Sequence, residues 1–235
     1  MKNQNPSKNL HLVSYVVGVI LGLAVTFFAT WADLEAAYYG FDRTGGNRLS
    51  SLACPIFMTA SETTNISIKL TNSTDRKVSP SIKVDISSPI APVSIIDDTE
   101  LAIGESKRLR WEIGPENIDL GRFVFARVWT YASYPLKDKE STCGVFVLPL
   151  PGKGVFYTWS MILLSLAGMG YGLMVMKQIR VPGRNGTLER STFLVVVTIL
   201  GLFVSYMGWW LAGVLVIVLA LLVIIISIGY SFRTS

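Results

Sequence analysis

The sequence predicts an α-helical membrane protein of about four transmembrane helices, with an all-β domain inserted after the first of them. Three observations predict it. Hydrophobic residues make up 51% of the 235-residue chain and charged residues only 16%, too apolar a balance for an ordinary soluble domain. The apolar residues concentrate in three runs, Leu10–Trp31, Val155–Met176 and Phe193–Tyr230, none of which contains Asp, Glu, Lys or Arg. Between the first two runs the pattern changes to alternation at every second residue, the mark of strands with one buried face. A hydrocarbon core about 30 Å thick takes roughly 20 apolar residues per helix, so the first two runs suit one span each and the third suits two.

The net charge of +5 is a topology signal. Lys2, Lys8, Lys177, Arg180, Arg184, Arg190 and Arg233 are opposed on their side only by Glu189, whereas the middle segment carries fourteen Lys and Arg against fifteen Asp and Glu. Short loops orient by their Lys and Arg, with the basic side cytoplasmic. Both termini and the loop 177–191 are therefore expected in the cytoplasm, and the β-domain outside a plasma membrane. Nucleic-acid binding needs a clustered basic face with base-stacking aromatics; no such face is evident, and no nucleic-acid partner is expected.

Taken in order, residues 1–9 form a short basic N-terminus. The span 10–31 ends in Phe27, Phe28 and Trp31, rings that favour the membrane interface. A cleaved signal peptide competes here, because Thr30-Trp31-Ala32 loosely suits a small-x-small site. The run exceeds the usual 7–15 or so residues of a signal core, which favours an uncleaved anchor. Within it Ser14, Gly18 and Gly22 recur every four residues, a small-residue stripe that lets another helix approach; glycine scattered on a lipid-facing helix is the competing reading. Residues 32–51 are a connector with a helical turn expected at Leu34–Tyr39.

The segment 52–150 carries the strands. Ile66, Ile68 and Leu70 alternate with polar residues, as do Ile82, Val84 and Ile86, and then Leu109, Trp111 and Ile113. Asn72–Asp75, Ser87–Pro89, Asp97-Asp98, Ile103–Glu105 and Gly114–Asn117 read as turns. Phe123–Tyr131 is apolar at most positions and so is expected in the centre of a sheet, and Gly144–Leu148 is the last strand. Roughly six to eight short strands over about a hundred residues suggest an immunoglobulin-like β-sandwich.

Ile66–Asp75 resembles the strand and turn that open bacterial Ig-like modules of the CARDB/NEW3 kind. Leu101-Ala102-Ile103-Gly104-Glu105-Ser106, followed by Leu109-Arg110-Trp111-Glu112-Ile113, is similar to their later hairpin and Trp-bearing strand, and Gly121-Arg122-Phe123 to the entry of the next strand. The resemblance covers the middle domain only. It implies a binding or spacing module and no catalytic residues.

Pro149–Gly154 is a linker, and the span 155–176 follows with Phe156, Tyr157 and Trp159 as its outer aromatic belt and Gly168 and Gly172 at Gly-xxx-Gly spacing. After the loop 177–191 come spans 192–207 and 211–230, joined near Met207-Gly208-Trp209-Trp210, and a cytoplasmic tail 231–235. A three-span arrangement with one long tilted or re-entrant segment competes.

Cys54 and Cys143 both fall in the segment assigned to the oxidising side, where such a pair is expected to form a disulfide. Two free buried thiols, or a lipidated Cys54, are the other readings. His11 is the only histidine, so neither a Ser–His–Asp set outside nor a His/Cys zinc site can be assembled. Asp97, Asp98 and Glu100 suit either a hard cation or a solvated turn. Proton and ion pathways usually place ionisable groups inside the bilayer, and the three apolar runs contain no Asp, Glu, Lys or Arg. Asn65 and Asn72 open acceptor sequons that matter only in a glycosylating host. The expectation is a non-enzymatic integral membrane protein, without cofactor, whose Ig-like domain serves protein binding, scaffolding or assembly of a membrane complex. An accessory subunit of a transporter or channel is the alternative. Its partners are the lipid bilayer and a membrane or envelope protein, met through Trp129, Tyr131 and Tyr134, although core packing is the favoured role for Trp129.

Overall fold

A computed structural model describes residues 7–41, 47–131, 137–178 and 185–233. The chain forms two compact units, Met1–Thr30 with Tyr157–Ser235, and Trp31–Phe156.

The first unit is helical. It contains α1 (Ser7–Ala36) as far as Thr30, α2 (Gly154–Gln178) from Tyr157, α3 (Asn185–Tyr206) and α4 (Trp210–Arg233). Among the described residues, four helices are long and apolar enough to cross a membrane: Leu10–Phe41, Gly154–Gln178, Leu188–Tyr206 and Trp210–Gly229. The run Phe193–Tyr230 thus folds as two helices rather than one. The break falls at Met207–Trp209, where Gly208 takes φ +61°, a left-handed conformation that side-chain-bearing residues resist.

On α1, Tyr15, Gly18, Val19, Gly22, Val25, Thr26, Ala29 and Thr30 are buried, a stripe at three- and four-residue spacing. Tyr15 and Val19 pack with Met169 of α2, while Val197 of α3 packs with Val216 and Ala220 of α4. Leu163, Leu164, Phe203, Leu215 and Leu222 are exposed, the composition of a lipid-facing surface.

The second unit contains β1 (Asn47–Arg48), β2 (Phe57–Thr59), β3 (Thr64–Thr71), β4 (Ser81–Ile86), β5 (Val93–Asp98), β6 (Ser106–Ile113), β7 (Phe123–Tyr131) and β8 (Lys139–Leu148). The larger sheet runs β1-β8-β7-β4-β5, with β2 also on β8; β3 and β6 pair as a separate antiparallel ribbon. Apart from β1 and β2, which pair in parallel with β8, the ladders are antiparallel. The expected central strand Phe123–Tyr131 is central, between β4 and β8.

One core serves both sheets. It takes Ile66, Ile68, Trp111 and Ile113 from the ribbon, and Ile82, Val84, Ile86, Val124, Ala126, Val128, Val145 and Val147 from the larger sheet. These are the alternate positions of each strand, as the two-residue period requires.

Three local expectations need correction. Asp97-Asp98 ends strand β5 instead of forming a turn: this edge strand, Val93–Asp98, is exposed or half-exposed on both faces and so lacks the two-residue contrast, although it pairs with β4 along its length. The last strand starts at Lys139, not Gly144, because Glu140 and Ser141 are buried in the β7 ladder despite their polarity. The connector's helical turn is no separate element: α1 continues through Leu34 to Ala36 and closes with a π-turn, Ala37–Phe41.

Candidate functional site

Within the helical unit, the small residues singled out by spacing meet one another. A Cβ on Gly18 would stand 2.6 Å from the Met169 amide nitrogen, and one on Gly168 would stand 2.7 Å from the Ser14 carbonyl oxygen. Only hydrogen fits at both places. The Ser165 hydroxyl donates to the Gly18 carbonyl at 2.7 Å, and that of Ser14 to the Gly168 carbonyl at 3.5 Å. Gly172 faces Tyr15, and Gly22 faces Ser165 and the Thr198 methyl. The stripes of α1 and α2 are therefore occupied inside this chain. Other span hydroxyls (Thr26, Thr198, Ser205, Ser227) donate to the carbonyl four residues earlier.

Cys54 and Cys143 are disulfide-bonded, with Cα atoms 6.5 Å apart. Cys143 belongs to the core, and Cys54 packs against it from the segment between β1 and β2. Cys143 sits inside β8 rather than at its start, since that strand begins four residues earlier.

Because Val124, Ala126, Val128 and Thr130 of β7 point to the core side, Phe123, Phe125, Arg127, Trp129 and Tyr131 point to the other. That outer face divides into three parts. At one end Phe123, Phe125 and Phe146 form an aromatic layer, capped by Trp31, Tyr39 and Phe41 at centroid distances of 5.4 to 5.9 Å. The cap lies tight on β8: a Cβ on Gly144 would overlap the Ala32 carbonyl, and the Gly144 amide donates to Asp33 Oδ1 at 2.8 Å.

In the middle of the face stands a charged cluster. Arg127 donates from Nε and Nη2 to Asp85 Oδ2 at 3.2 and 2.8 Å, and its Nε lies 3.9 Å from Glu140 Oε1. Lys83 Nζ lies 3.3 Å from Asp85 Oδ1, which also accepts from the Ser94 hydroxyl at 2.5 Å. Burial on its own would raise the Asp85 pKa, but the Ser94 hydrogen bond, Arg127 and Lys83 outweigh it and hold the carboxyl below the usual carboxylate range. Asp85 is thus fixed as an anion and is not poised to donate a proton. Among the described residues no group of three or more His, Cys, Asp or Glu side chains could hold a metal ion.

Beyond the cluster lies the sequence-predicted partner surface. Trp129 and Tyr131 stack with centroids 4.3 Å apart, and Ile96 on edge strand β5, across Lys83 of β4 from Trp129, is 70% exposed. Trp129 is half-buried on the outer face and is not among the described residues of the core between the sheets. The core role weighed for it is corrected by strand parity, since Val128 and Thr130 take the inward positions. Tyr134 lies outside the described residues. The Asp85–Arg127–Glu140 cluster carried no motif at sequence level; its signal was a polar residue at an outward position on three adjoining strands, visible only once their pairing is known.

No family model and no curated protein matches the chain. Among solved structures, a β-glucosidase from Erythrobacter marinus aligns at 16% identity over 40% of this chain and 14% of that one, TM-score 0.28. A β-glucosidase from Listeria innocua aligns at 20% identity over 42% and 15%, TM-score 0.31, and a β-glucuronidase from Bacteroides uniformis at 13% over 43% and 12%, TM-score 0.30. The chain covers 12 to 15% of the length of these enzymes. Similarity this low carries no argument about fold or activity.

Proposed function

We propose that this chain is a non-enzymatic, multi-pass plasma-membrane protein that holds its β-unit outside the cytoplasm as an immunoglobulin-like sandwich, where it docks a membrane or envelope protein. The observation that carries this reading is the outer face of the larger sheet. One end of that face is sealed by Trp31–Phe41, whereas the Trp129–Tyr131 stack and Ile96 are left open beside an ion-pair cluster. Stacked aromatics next to a buried Arg pair are the residue types that dominate protein interfaces. The disulfide supports the extracytoplasmic placement, because such bonds persist in oxidising compartments. The basic residues Lys177 and Arg190 support the cytoplasmic placement of the other side. The likeness of Ile66–Asp75 and Leu101–Ile113 to CARDB/NEW3-type modules agrees with a binding role.

An accessory role to a transporter or channel would draw on helix faces rather than on the β-unit. The glycine faces of α1 and α2 are already used against each other, which favours docking through the sheet. The test is purification from mild detergent after crosslinking, comparing the native chain with a Trp129→Ala/Tyr131→Ala double variant. A specific protein recovered with the native chain and lost with the variant is expected. A native chain that elutes alone, or a partner retained by the variant, would refute the sheet-face reading.

A further inference from the structure

On the surface of the helical unit, α3 and α4 leave a groove of about 360 Å3 between them, lined by Glu189, Arg190, Phe193, Val223, Ile226 and Ser227. Residues near the start of α3 here face residues near the end of α4, as two helices joined by the short break at Met207–Trp209 require. Phe193, Val223 and Ile226 make the trough apolar, and Phe193 and Ile226 are about half exposed. The Ser227 hydroxyl turns back on its own helix, donating to the Val223 carbonyl at 2.7 Å.

Glu189 and Arg190 border this trough on the side toward the start of α3. Successive residues on a helix do not face each other, and Glu189 forms no ion pair with a described residue. The groove therefore presents one negative and one positive group side by side above an apolar floor. Their depth follows from helix length. Arg190 lies sixteen residues before Tyr206, about 24 Å along the axis at helical rise. Against a hydrocarbon core about 30 Å thick, a Tyr206 at one boundary places Arg190 near the other, where long charged side chains extend to the headgroups.

We propose that this groove binds a phospholipid whose headgroup carries a primary ammonium, the chemistry of phosphatidylethanolamine; this rests on the membrane-spanning part of the function proposed above. An acyl chain lies against Phe193, Val223 and Ile226. Arg190 takes the phosphate through its planar fork, and the Glu189 carboxylate takes the ammonium. The pair of opposite charges selects this headgroup against two others. An anionic headgroup brings its phosphate beside Glu189 with no cation of its own to offset that carboxylate, and like charges repel. A trimethylammonium headgroup has no N–H to donate and suits aromatic cages instead, whereas Phe193 is the one aromatic ring among the lining residues. The volume lies at the small end of ligand pockets, which start at about 300 Å3, and so fits part of one chain rather than a whole lipid.

The experiment titrates the delipidated full chain in mild detergent with phosphatidylethanolamine, phosphatidylglycerol and phosphatidylcholine of identical chains, counting bound lipid by native mass spectrometry. Phosphatidylethanolamine should bind severalfold more tightly than either of the others. Glu189→Gln should abolish that preference over phosphatidylglycerol, whereas Arg190→Gln should weaken all three lipids and Arg190→Lys should keep most of the binding. Phe193→Ala/Ile226→Ala should also weaken all three, and Leu163→Ala/Leu215→Ala, at exposed positions outside the groove, should change nothing. Equal binding of the three lipids, tighter binding of phosphatidylglycerol, a preference that survives Glu189→Gln, or equal loss in the control variant overturns the proposal. A stable dimer that Phe193→Ala/Ile226→Ala breaks would assign the groove to a second copy and also overturn it. Carbonate washing of membranes tests the underlying reading separately. Release of the chain refutes the membrane reading, while a chain that stays in the membrane yet shows no headgroup preference refutes the lipid site alone.

Discussion

Arg127 sits at the centre of the larger sheet's outer face, and two carboxylates on different strands approach it. Removing one partner of a buried ion pair leaves the other charge uncompensated, which costs about 3 kcal/mol or more. Because Glu140 still faces Arg127, Asp85→Asn should lower stability by less than that amount, read as a shift of the chemical unfolding midpoint. The pH dependence has a definite sign. The folded Asp85 carboxyl titrates below its unfolded value of about 3.9, so its contribution is complete above that pH and is lost as acid carries the protein down through the folded pKa. Stability should fall on acidification into that range, and the Asn variant should lose this part of the acid limb. A variant with the native acid profile would show that Asp85 is not the group responsible. Residue identity foretold none of this: Asp85 and Arg127 are forty-two positions apart and meet only through the β4–β7 register.

At the scale of elements, two features carry stability in different ways. The α1–α2 crossing depends on bare backbone at Gly18 and Gly168, where an added Cβ has only main-chain atoms to push against. Gly168→Leu should force the helices apart and lower the thermal midpoint in detergent by several degrees or more. Gly170→Leu, at a helix position with open space, should leave it nearly unchanged, and equal effects would show that the crossing is not the cause. The disulfide acts through the unfolded chain. It closes a loop between residues 89 apart, which the chain-entropy account values at about 4 kcal/mol. Cys54→Ser/Cys143→Ser should lower the stability of the β-unit by that order in chemical denaturation; a change below about 1 kcal/mol would mean that the strand ladders already hold β8 and the 49–59 segment together. The spacing of Ser14, Gly18, Gly22, Gly168 and Gly172 was readable in the sequence as a packing signal. The partner across it was not, since a small-residue stripe is the same whether it faces a helix of its own chain or of another.

For the whole molecule, the proposed topology places the β-unit on one side and the segment 177–191 on the other. Protease added to right-side-out vesicles should cut within the β-unit once the disulfide is reduced and should spare the segment 177–191; inverted vesicles should give the reverse. Cleavage of both regions from one side would refute the arrangement. Charge distribution alone led to this expectation, because Lys and Arg orient short loops whatever the fold between them.

Uncharged apolar runs determined the existence and approximate limits of the four long apolar helices, because length and hydrophobicity against a fixed hydrocarbon thickness are local properties. Two-residue alternation determined β3, β4 and β6 for the same reason: the inward positions must be apolar wherever one face is buried. The edge strand β5 was hidden because both its faces are largely exposed and leave no such contrast. What only the tertiary structure decided is everything that depends on which strands lie side by side. That includes the outward placement of Trp129 and the meeting of Asp85 and Glu140 on Arg127. Their separations along the chain carry no local signal; pairing register and strand parity bring them together.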